Sequence, residues 1–308
     1  MRLLQYSLLL LFSGVALSAQ ADNDVDKQLD FGGLTRSYIV HTPPGMTDNE
    51  RLALVIVLHG GGGSARSTNE QTHFSAEADR QDFIVVYPNG TDRSRPLWHL
   101  LGRPGFNTWN AGSCCGYAKE HNVDDVGFIR AMVKQLEADY PINPKRIYAT
   151  GISNGGMMAY RLACQASDIF AAIGPVSAVQ TVSDCDPQDP VAIIHIHGTA
   201  DQNVPLAGGI GEKSLDRTPK PSVMATLRGW LHLDGCPSEP QETQVAQDVT
   251  EDDYRGCRGN AEIAYYQVKG GGHAWPGGAQ MLSILDRPTQ EIDATSLIWN
   301  FFAAHPKP

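Results

Sequence analysis

Short, almost entirely apolar segments alternate with segments of helical periodicity along this chain, and this alternation limits its possible folds more than any other feature. Leu52–Leu58 (LALVIVL) and Phe83–Tyr87 (FIVVY) are apolar runs of strand length, which is typical of strands buried on both faces. Val123–Tyr140 instead repeats apolar residues at helical spacing. Strands and helices in this order predict an α/β protein with a mostly parallel central sheet and helices on both faces.

The same alternation continues to the C-terminus. We predict strands over Ser37–His41, Arg146–Thr150, Phe170–Val176, Val191–Ile196 and Ala261–Val268. We predict helices over Ser67–Arg80, Gly155–Ala166, Ser222–Leu233 and Ala294–Ala304. In open sheets of this kind ligands bind beyond the carboxyl ends of the strands, so functional residues are expected there.

The first 21 residues have the layout of a secretory signal peptide. Arg2 precedes an apolar run from about Leu8 to Leu17, and Ala19-Gln20-Ala21 is a small-x-small cleavage pattern. The alternative is an uncleaved anchor helix, but the run is shorter than the ~20 residues that a membrane span needs. We expect residues 22–308 to form a single catalytic domain that is secreted or periplasmic and does not bind a membrane.

The formal net charge of −10 without a basic run argues against nucleic acid or an anionic membrane as a partner. An even number of cysteines in an exported chain favours disulfide bonds over metal ligation. Proximity along the chain suggests the pairs Cys164 with Cys185 and Cys236 with Cys257. The adjacent Cys114 and Cys115 are then either bridged or free thiols. Because no Cys-x-x-Cys pairs with histidine at zinc spacing, we expect no metal site.

Residues 151–155, Gly-Ile-Ser-Asn-Gly, fit the pattern Gly-x-Ser-x-Gly. The pattern is short, and it also describes an ordinary serine between glycines. Here it lies between a predicted strand and a predicted helix, which is the context of a nucleophile elbow that raises the serine above the sheet edge. Gly151 and Gly155 would allow the strand and the helix to approach closely. We therefore predict that Ser153 is a catalytic nucleophile.

Two further candidate catalytic residues also lie just after the ends of predicted strands. Asp201 lies just beyond Val191–Ile196, where a carboxylate can accept a hydrogen bond from a histidine and hold its tautomer. The alternative is a turn residue, and Asp216 and Asp234 are competing carboxylates. His273 lies in a glycine-rich loop after Ala261–Val268, where a neutral imidazole can act as a general base. The order Ser, Asp, His is that of α/β-hydrolases.

Hydrolysis of an ester also requires backbone N–H groups aimed at the oxyanion. Val57–Gly63 (VLHGGGG) follows the first buried strand and matches the loop that supplies one donor in this fold. We nominate the N–H groups of Gly61 and Asn154, and we expect His59 to brace the loop. A phosphate-binding loop is the alternative, but the lysine of a P-loop and the spacing of a dinucleotide motif are missing. His195 and His197 lie two residues apart on one strand, so both side chains point to the same face of the sheet. They could ligate a metal, but we expect both to be buried and hydrogen-bonded instead.

Several blocks together resemble the secreted esterases of the polyhydroxybutyrate depolymerase and feruloyl esterase group. The blocks are LHGGGG, WNAGSCCG, VDDVGFI, GISNGGMMAYRLAC, HIHGTAD and GGGHAWPGG, and the match extends from about Phe31 to the C-terminus. The resemblance implies an α/β-hydrolase fold, a triad of Ser153, Asp201 and His273, and no cofactor. Many depolymerases carry a separate polymer-binding module, whereas this chain ends at Pro308, so we expect soluble oligomers or small acyl groups as substrates.

The long connection Asn89–Asn122 leaves the carboxyl end of a strand and is typical of a lid. Its aromatic side chains either stack on a phenolic acyl group or pack the loop onto the body. They are Trp98, Phe106, Trp109 and Tyr117. Trp275 is likewise either a pocket wall or a loop anchor. We nominate Trp109 and Trp275 as substrate-binding residues.

The sequence thus predicts a serine esterase acting on feruloyl-type or related acyl esters of plant polysaccharide. The alternative substrate is poly(3-hydroxybutyrate) or its oligomers. A serine peptidase and a non-catalytic carbohydrate-binding protein are the rival classes.

Overall fold

The structure is a computed structural model that describes residues 23–47, 49–92, 105–214, 216–281 and 286–308. The predicted signal peptide, residues 1–21, and Trp98 of the long connection lie outside the described residues. Within the described ranges, none of the helices has both the length and the apolar character of a bilayer span.

Ten strands form one sheet in the order β1-β2-β4-β3-β5-β6-β7-β10-β9-β8. They are β1 Asp24–Phe31, β2 Leu34–His41, β3 Leu52–Leu58, β4 Phe83–Pro88, β5 Ile142–Ile152, β6 Ala172–Val176, β7 Ala192–Gly198, β8 Gln241–Ala246, β9 Val249–Tyr254 and β10 Ile263–Val268. The six central strands, from β4 to β10, pair in parallel. Antiparallel strands complete both edges.

Helices cover both faces of the sheet, because alternate side chains of the buried strands enter two separate cores. Along β3, Leu54 and Ile56 face one core, and Val55 and Val57 face the other. The described helices are α1 Ala65–Thr72, α2 Phe74–Gln81, α3 Gly116–Glu120, α4 Asp125–Asp139, α5 Asn154–Gln165, α6 Val223–Leu233 and α7 Ala294–Ala304. Helices α4, α5 and α6 pack on the first core, and α1, α2 and α7 pack on the second. The predicted sheet with helices on both faces is confirmed.

One predicted helix was wrong in detail, and one hairpin was not predicted. The helix predicted over Ser67–Arg80 is two helices, because His73 adopts a left-handed conformation with φ 58° and so ends the first of them. The β8–β9 hairpin was not predicted, since the side chains of β8 are almost all exposed and polar and lack an apolar pattern.

A buried ion pair joins the N-terminal hairpin to the helical layer. Arg36 on β2 lies 2.8 Å from Asp125 at the start of α4, and their side chains are 3% and 0% exposed. The other carboxylate oxygen of Asp125 accepts the backbone N–H of Asn110 at 2.8 Å. The guanidinium also donates to the carbonyl of Asn89 and lies over the ring of Phe128. Both charges are therefore compensated inside the protein.

Three disulfide bonds are present among the described residues. Cys164 pairs with Cys185 and Cys236 pairs with Cys257, as the spacing suggested. The adjacent Cys114 and Cys115 form the third pair.

Substitution of Arg36 by methionine is expected to lower the free energy of unfolding by about 3–5 kcal/mol, because it leaves the Asp125 carboxylate buried and unpaired. Urea unfolding followed by circular dichroism measures the loss. Lys27→Met is the matched control: it breaks the partly exposed pair with Asp139 and should cost no more than about 1 kcal/mol. Equal losses in the two variants would contradict this account of the Arg36 pair.

Candidate active site

Ser153 lies on a sharp turn between β5 and α5, at the carboxyl edge of the sheet. Its backbone has φ 57° and ψ −123°, a conformation that costs a non-glycine residue on the order of 1–3 kcal/mol. The Ser153 N–H donates to the carbonyl of Val176 on β6 at 2.9 Å, which helps to hold the turn. The strand order reverses between β3 and β5, so Ser153 lies at the point where open α/β sheets bind ligands.

The glycines on either side of Ser153 are required by close packing. A Cβ atom on Gly151 would lie 2.5 Å from the carbonyl oxygen of Leu58, and one on Gly155 would collide with the same oxygen and with that of His59. The backbones of β3, β5 and α5 thus approach one another too closely for any side chain. This explains why the pattern Gly-x-Ser-x-Gly needs both glycines here.

Asp201 and His273 form a hydrogen-bonded pair at the same edge. His273 Nδ1 lies 2.8 Å from Asp201 Oδ2, and the Asp201 side chain is fully buried. Burial alone would raise the pKa of Asp201, but hydrogen bonds and the nearby histidines hold this pKa below its ordinary value. The carboxylate is therefore charged at neutral pH and orients the imidazole.

The backbones of the two loops that carry this pair are bonded to each other. Thr199 N–H donates to the carbonyl of Val268, and Ala200 N–H donates to that of Gly271. The competing carboxylates lie elsewhere: Asp216 binds Lys220, and Asp234 is buried at the end of α6. Of the three candidates, it is Asp201 that pairs with His273.

Sequence reasoning missed Asp286, which supports His273 from the other side. Its carboxylate accepts the backbone N–H of His273 at 2.8 Å and lies 3.1 Å from the ammonium of Lys213. The hydrogen bond to His273 is the main cause that lowers the pKa of Asp286. No sequence pattern marks this residue, because its role depends on how a later loop folds back over the site.

The loop after β3 presents backbone N–H groups beside Ser153. A Cβ on Gly61 would lie 3.9 Å from the Cβ of Asn154, so the two nominated donors are neighbours. Asn154 is the first residue of α5, where N–H groups lack a partner within the helix. The Gly62 and Gly63 N–H groups are already bound to the carbonyls of Asn107 and Gly60, whereas Gly61 N–H meets no acceptor among the described residues.

His59 braces this loop, as the sequence suggested. Its Nδ1–H donates to the carbonyl of Gly60 and its Nε2 accepts the N–H of Gly90, both at 2.8 Å. Burial, helped by the charge of Arg36, lowers the pKa of His59 to about 4. The ring is therefore neutral at physiological pH, which this pattern of one donor and one acceptor requires.

The prediction that Trp109 and Trp275 contact substrate is not supported, because both side chains are 0% exposed. The Trp109 indole N–H donates to the carbonyl of His59, and its backbone N–H and carbonyl bind the side-chain amide of Asn154. Trp275 donates to Thr295 Oγ1 and packs edge-on against Phe74. Trp109 thus supports the loop after β3, and Trp275 anchors the His273 loop to α7.

Cys114, Cys115 and Asp216 are the one group of three potential metal ligands found among the described residues. The two sulfurs of this group are bonded to each other. His195 and His197 are fully buried and hydrogen-bonded, as the alternation on their strand suggested.

Residues 36–196, more than half of the chain, match the family described as esterase PHB depolymerase. The chain belongs to this family. The matched region contains Ser153 and the glycine-rich loop after β3, and it ends five residues before Asp201.

Individual relatives of this family member agree with the assignment. Feruloyl esterase B of Piromyces equi is 30% identical over 78% of this chain. The bifunctional acetylxylan esterase/xylanase XynS20E of Neocallimastix patriciarum is 26% identical over 84% of this chain. The chain spans 42% and 34% of the lengths of these two proteins. The solved acetyl xylan esterase from Aspergillus awamori superposes with a TM-score of 0.61 at 16% identity, over 91% of this chain and 99% of its own. This likeness confirms the α/β-hydrolase fold.

Substitution of Gly155 by alanine is expected to destabilise the protein by about 3 kcal/mol or to prevent folding, because the new methyl group would force β3 away from α5. Gly229→Ala is the matched control. Gly229 lies inside α6 with open space around it, so alanine there should add about 0.5–1 kcal/mol through helix propensity. Thermal unfolding compares the variants, and a tolerated Gly155→Ala would refute the packing argument.

Proposed function

We propose that this chain is a serine carboxylic-ester hydrolase that acts through an acyl-enzyme. The observation that carries the proposal is the strained turn at Ser153, which lies at one sheet edge with the bonded Asp201–His273 pair and with the N–H groups of Gly61 and Asn154. Neither N–H group has an acceptor among the described residues. Strain at a non-glycine residue persists only where the surroundings enforce it. Relatives named as feruloyl and acetylxylan esterases support the same reaction class.

Each residue takes one role in the reaction. His273 accepts the proton of Ser153 as the serine oxygen attacks the ester carbonyl. The N–H groups of Gly61 and Asn154 stabilise the oxyanion, and Asp201 stabilises the imidazolium that forms. His273 then protonates the leaving alcohol, and water releases the acyl group from Ser153 by the same steps. These side chains and backbone groups suffice for the reaction without a cofactor.

A planar aromatic acyl group, such as the feruloyl group, is the substrate class that the site supports best. Phe106 is 56% exposed, and its ring lies against Gly62 in the proposed oxyanion loop. An exposed ring beside the reaction centre offers a stacking surface for a phenolic acid. We also propose that the enzyme is secreted, as the N-terminal pattern indicates, and that the feruloyl group is attached to polysaccharide.

Replacement of Ser153 by alanine is expected to lower kcat/KM for p-nitrophenyl acetate by at least about a thousandfold, since the nucleophile is lost. The fold should be retained, because alanine removes only the hydroxyl group. Stopped assays of p-nitrophenol release on the purified protein measure this effect. Casein and peptide substrates are tested in parallel. Substantial residual ester hydrolysis in Ser153→Ala would sink the esterase proposal, and peptide turnover by the parent protein would favour the peptidase.

Replacement of Phe106 by alanine is expected to reduce kcat/KM for methyl ferulate about tenfold, because the stacking contact is worth about 1–1.5 kcal/mol. Hydrolysis of p-nitrophenyl acetate, which has no aromatic acyl group, should change less than about twofold. Val245→Ala, at an exposed position on β8, is the control and should change neither. Equal losses on both esters would mean that Phe106 braces the loop. A preference of the parent protein for a 3-hydroxybutyrate oligomer would overturn the feruloyl assignment.

A further inference from the structure

A chain of buried side chains leads from the core of the protein to Asp201. The Tyr160 hydroxyl lies 2.8 Å from His195 Nδ1, and His195 Nε2 lies 3.2 Å from His197 Nδ1. His197 Nε2 then lies 2.8 Å from the carbonyl oxygen of Val204 and 3.6 Å from Asp201 Oδ2. All three side chains in the chain are buried, and none of them takes part in the reaction steps above.

The direction of each hydrogen bond from Tyr160 through His195 to His197 follows from the last acceptor, the carbonyl oxygen of Val204. A backbone carbonyl can only accept, so His197 Nε2 carries the proton that binds Val204. Because a neutral imidazole has one N–H, His197 Nδ1 must accept from His195 Nε2–H. By the same argument His195 Nδ1 accepts the hydroxyl proton of Tyr160. One carbonyl group thus fixes the tautomers of two histidines.

The surroundings keep the chain neutral. Burial and the neighbouring His197 lower the pKa of His195 well below its ordinary value. Burial also lowers the pKa of His197, against the opposing charge of Asp201, and raises the pKa of Tyr160. The other ionisable groups that face these rings are Tyr265 on β10, which meets His195 edge-on, and His273, which faces His197 across Asp201.

Both backbone polar groups of Val204 are hydrogen-bonded to side chains. Its carbonyl accepts from His197, and its N–H donates to Asp201 Oδ1 at 2.9 Å. The N–H of Asn203 binds the same Asp201 oxygen at 2.8 Å, which leaves Oδ2 for His273. The turn from Asp201 to Val204 therefore sets the rotation of the carboxylate, and His197 is the side chain that ties this turn to the sheet.

We propose that His197 is a positioning residue for the triad: its Nε2–H, oriented by His195 and Tyr160, anchors the turn at Val204 and thereby fixes the angle at which Asp201 receives His273. This inference rests on the proposed function of Ser153, Asp201 and His273. It assigns a role to two buried histidines that the reaction itself does not use.

The experiment compares His197→Leu, which removes the donor, with His197→Gln, whose amide Nε2 can reach the same carbonyl. The kcat/KM for p-nitrophenyl acetate is measured from pH 5 to 9, and a fluorophosphonate that reacts with Ser153 counts the active molecules. We expect about a 10–100-fold loss per active molecule in His197→Leu, because small misplacements of catalytic groups carry such costs. The acidic limb of its profile should move to lower pH, since a displaced Asp201 stabilises the imidazolium less. His197→Gln should restore both values to within about threefold of the parent.

Tyr160→Phe keeps the ring and removes only the hydroxyl that donates to His195 Nδ1, so it tests the proposal even if His197→Leu does not fold. A smaller loss in the same direction is expected, with the acidic limb again at lower pH. An unchanged pH profile in folded His197→Leu and in Tyr160→Phe would overturn the inference, and so would failure of His197→Gln to restore activity. Ser153→Ala is run beside them, and activity in that variant would refute the esterase proposal. If Ser153→Ala is inactive while His197→Leu and Tyr160→Phe behave like the parent protein, only the role of His197 is refuted.

Discussion

The close approach of β3, β5 and α5 at the carboxyl edge of the sheet is the constraint on which the rest of the site depends. Gly151 and Gly155 leave no room for a side chain between these backbones, and the chain passes from strand to helix within one residue. Ser153 takes up the resulting turn in a strained conformation, and packing of the fully buried side chains of α5 outweighs that strain. The same geometry places Asn154 beside Gly61.

A second set of contacts holds the start of α5, and these contacts come from segments that are distant in sequence. The side-chain amide of Asn154 binds the backbone of Trp109. The backbone N–H of Asn110 donates to Asp125, which in turn pairs with Arg36 on β2. Charged groups buried in this way are strongly destabilising when one partner is missing. These contacts therefore hold the N-terminal hairpin, residues 109–110 of the long connection and α5 in one arrangement, which limits movement of the proposed oxyanion donors.

The central strands were predictable because strands buried on both faces have continuous apolar sequences, and the triad candidates followed because each lies just after such a strand. The β8–β9 hairpin was not predictable, since the mostly exposed side chains of β8 carry no such pattern. The burial of Trp109 and Trp275 was not predictable either, because the sequence does not distinguish an aromatic loop residue that packs on the core from one that faces a ligand. The hydrogen bonds that join Asp286 to His273 and His197 to Val204 depend on the three-dimensional course of loops, which local sequence does not determine.

The disulfide bonds lie on one side of the sheet. Five of the six cysteines belong to the core under α4, α5 and α6, and the described residues of the core under α1, α2 and α7 include none. Each of the two longer bridges spans 21 residues. Closing a loop of this size raises the free energy of the unfolded chain by roughly 3 kcal/mol for each bridge. The two layers therefore differ in their dependence on the redox environment. In a reducing compartment the layer that contains α5 loses these cross-links, whereas the described residues of the opposite layer have none to lose.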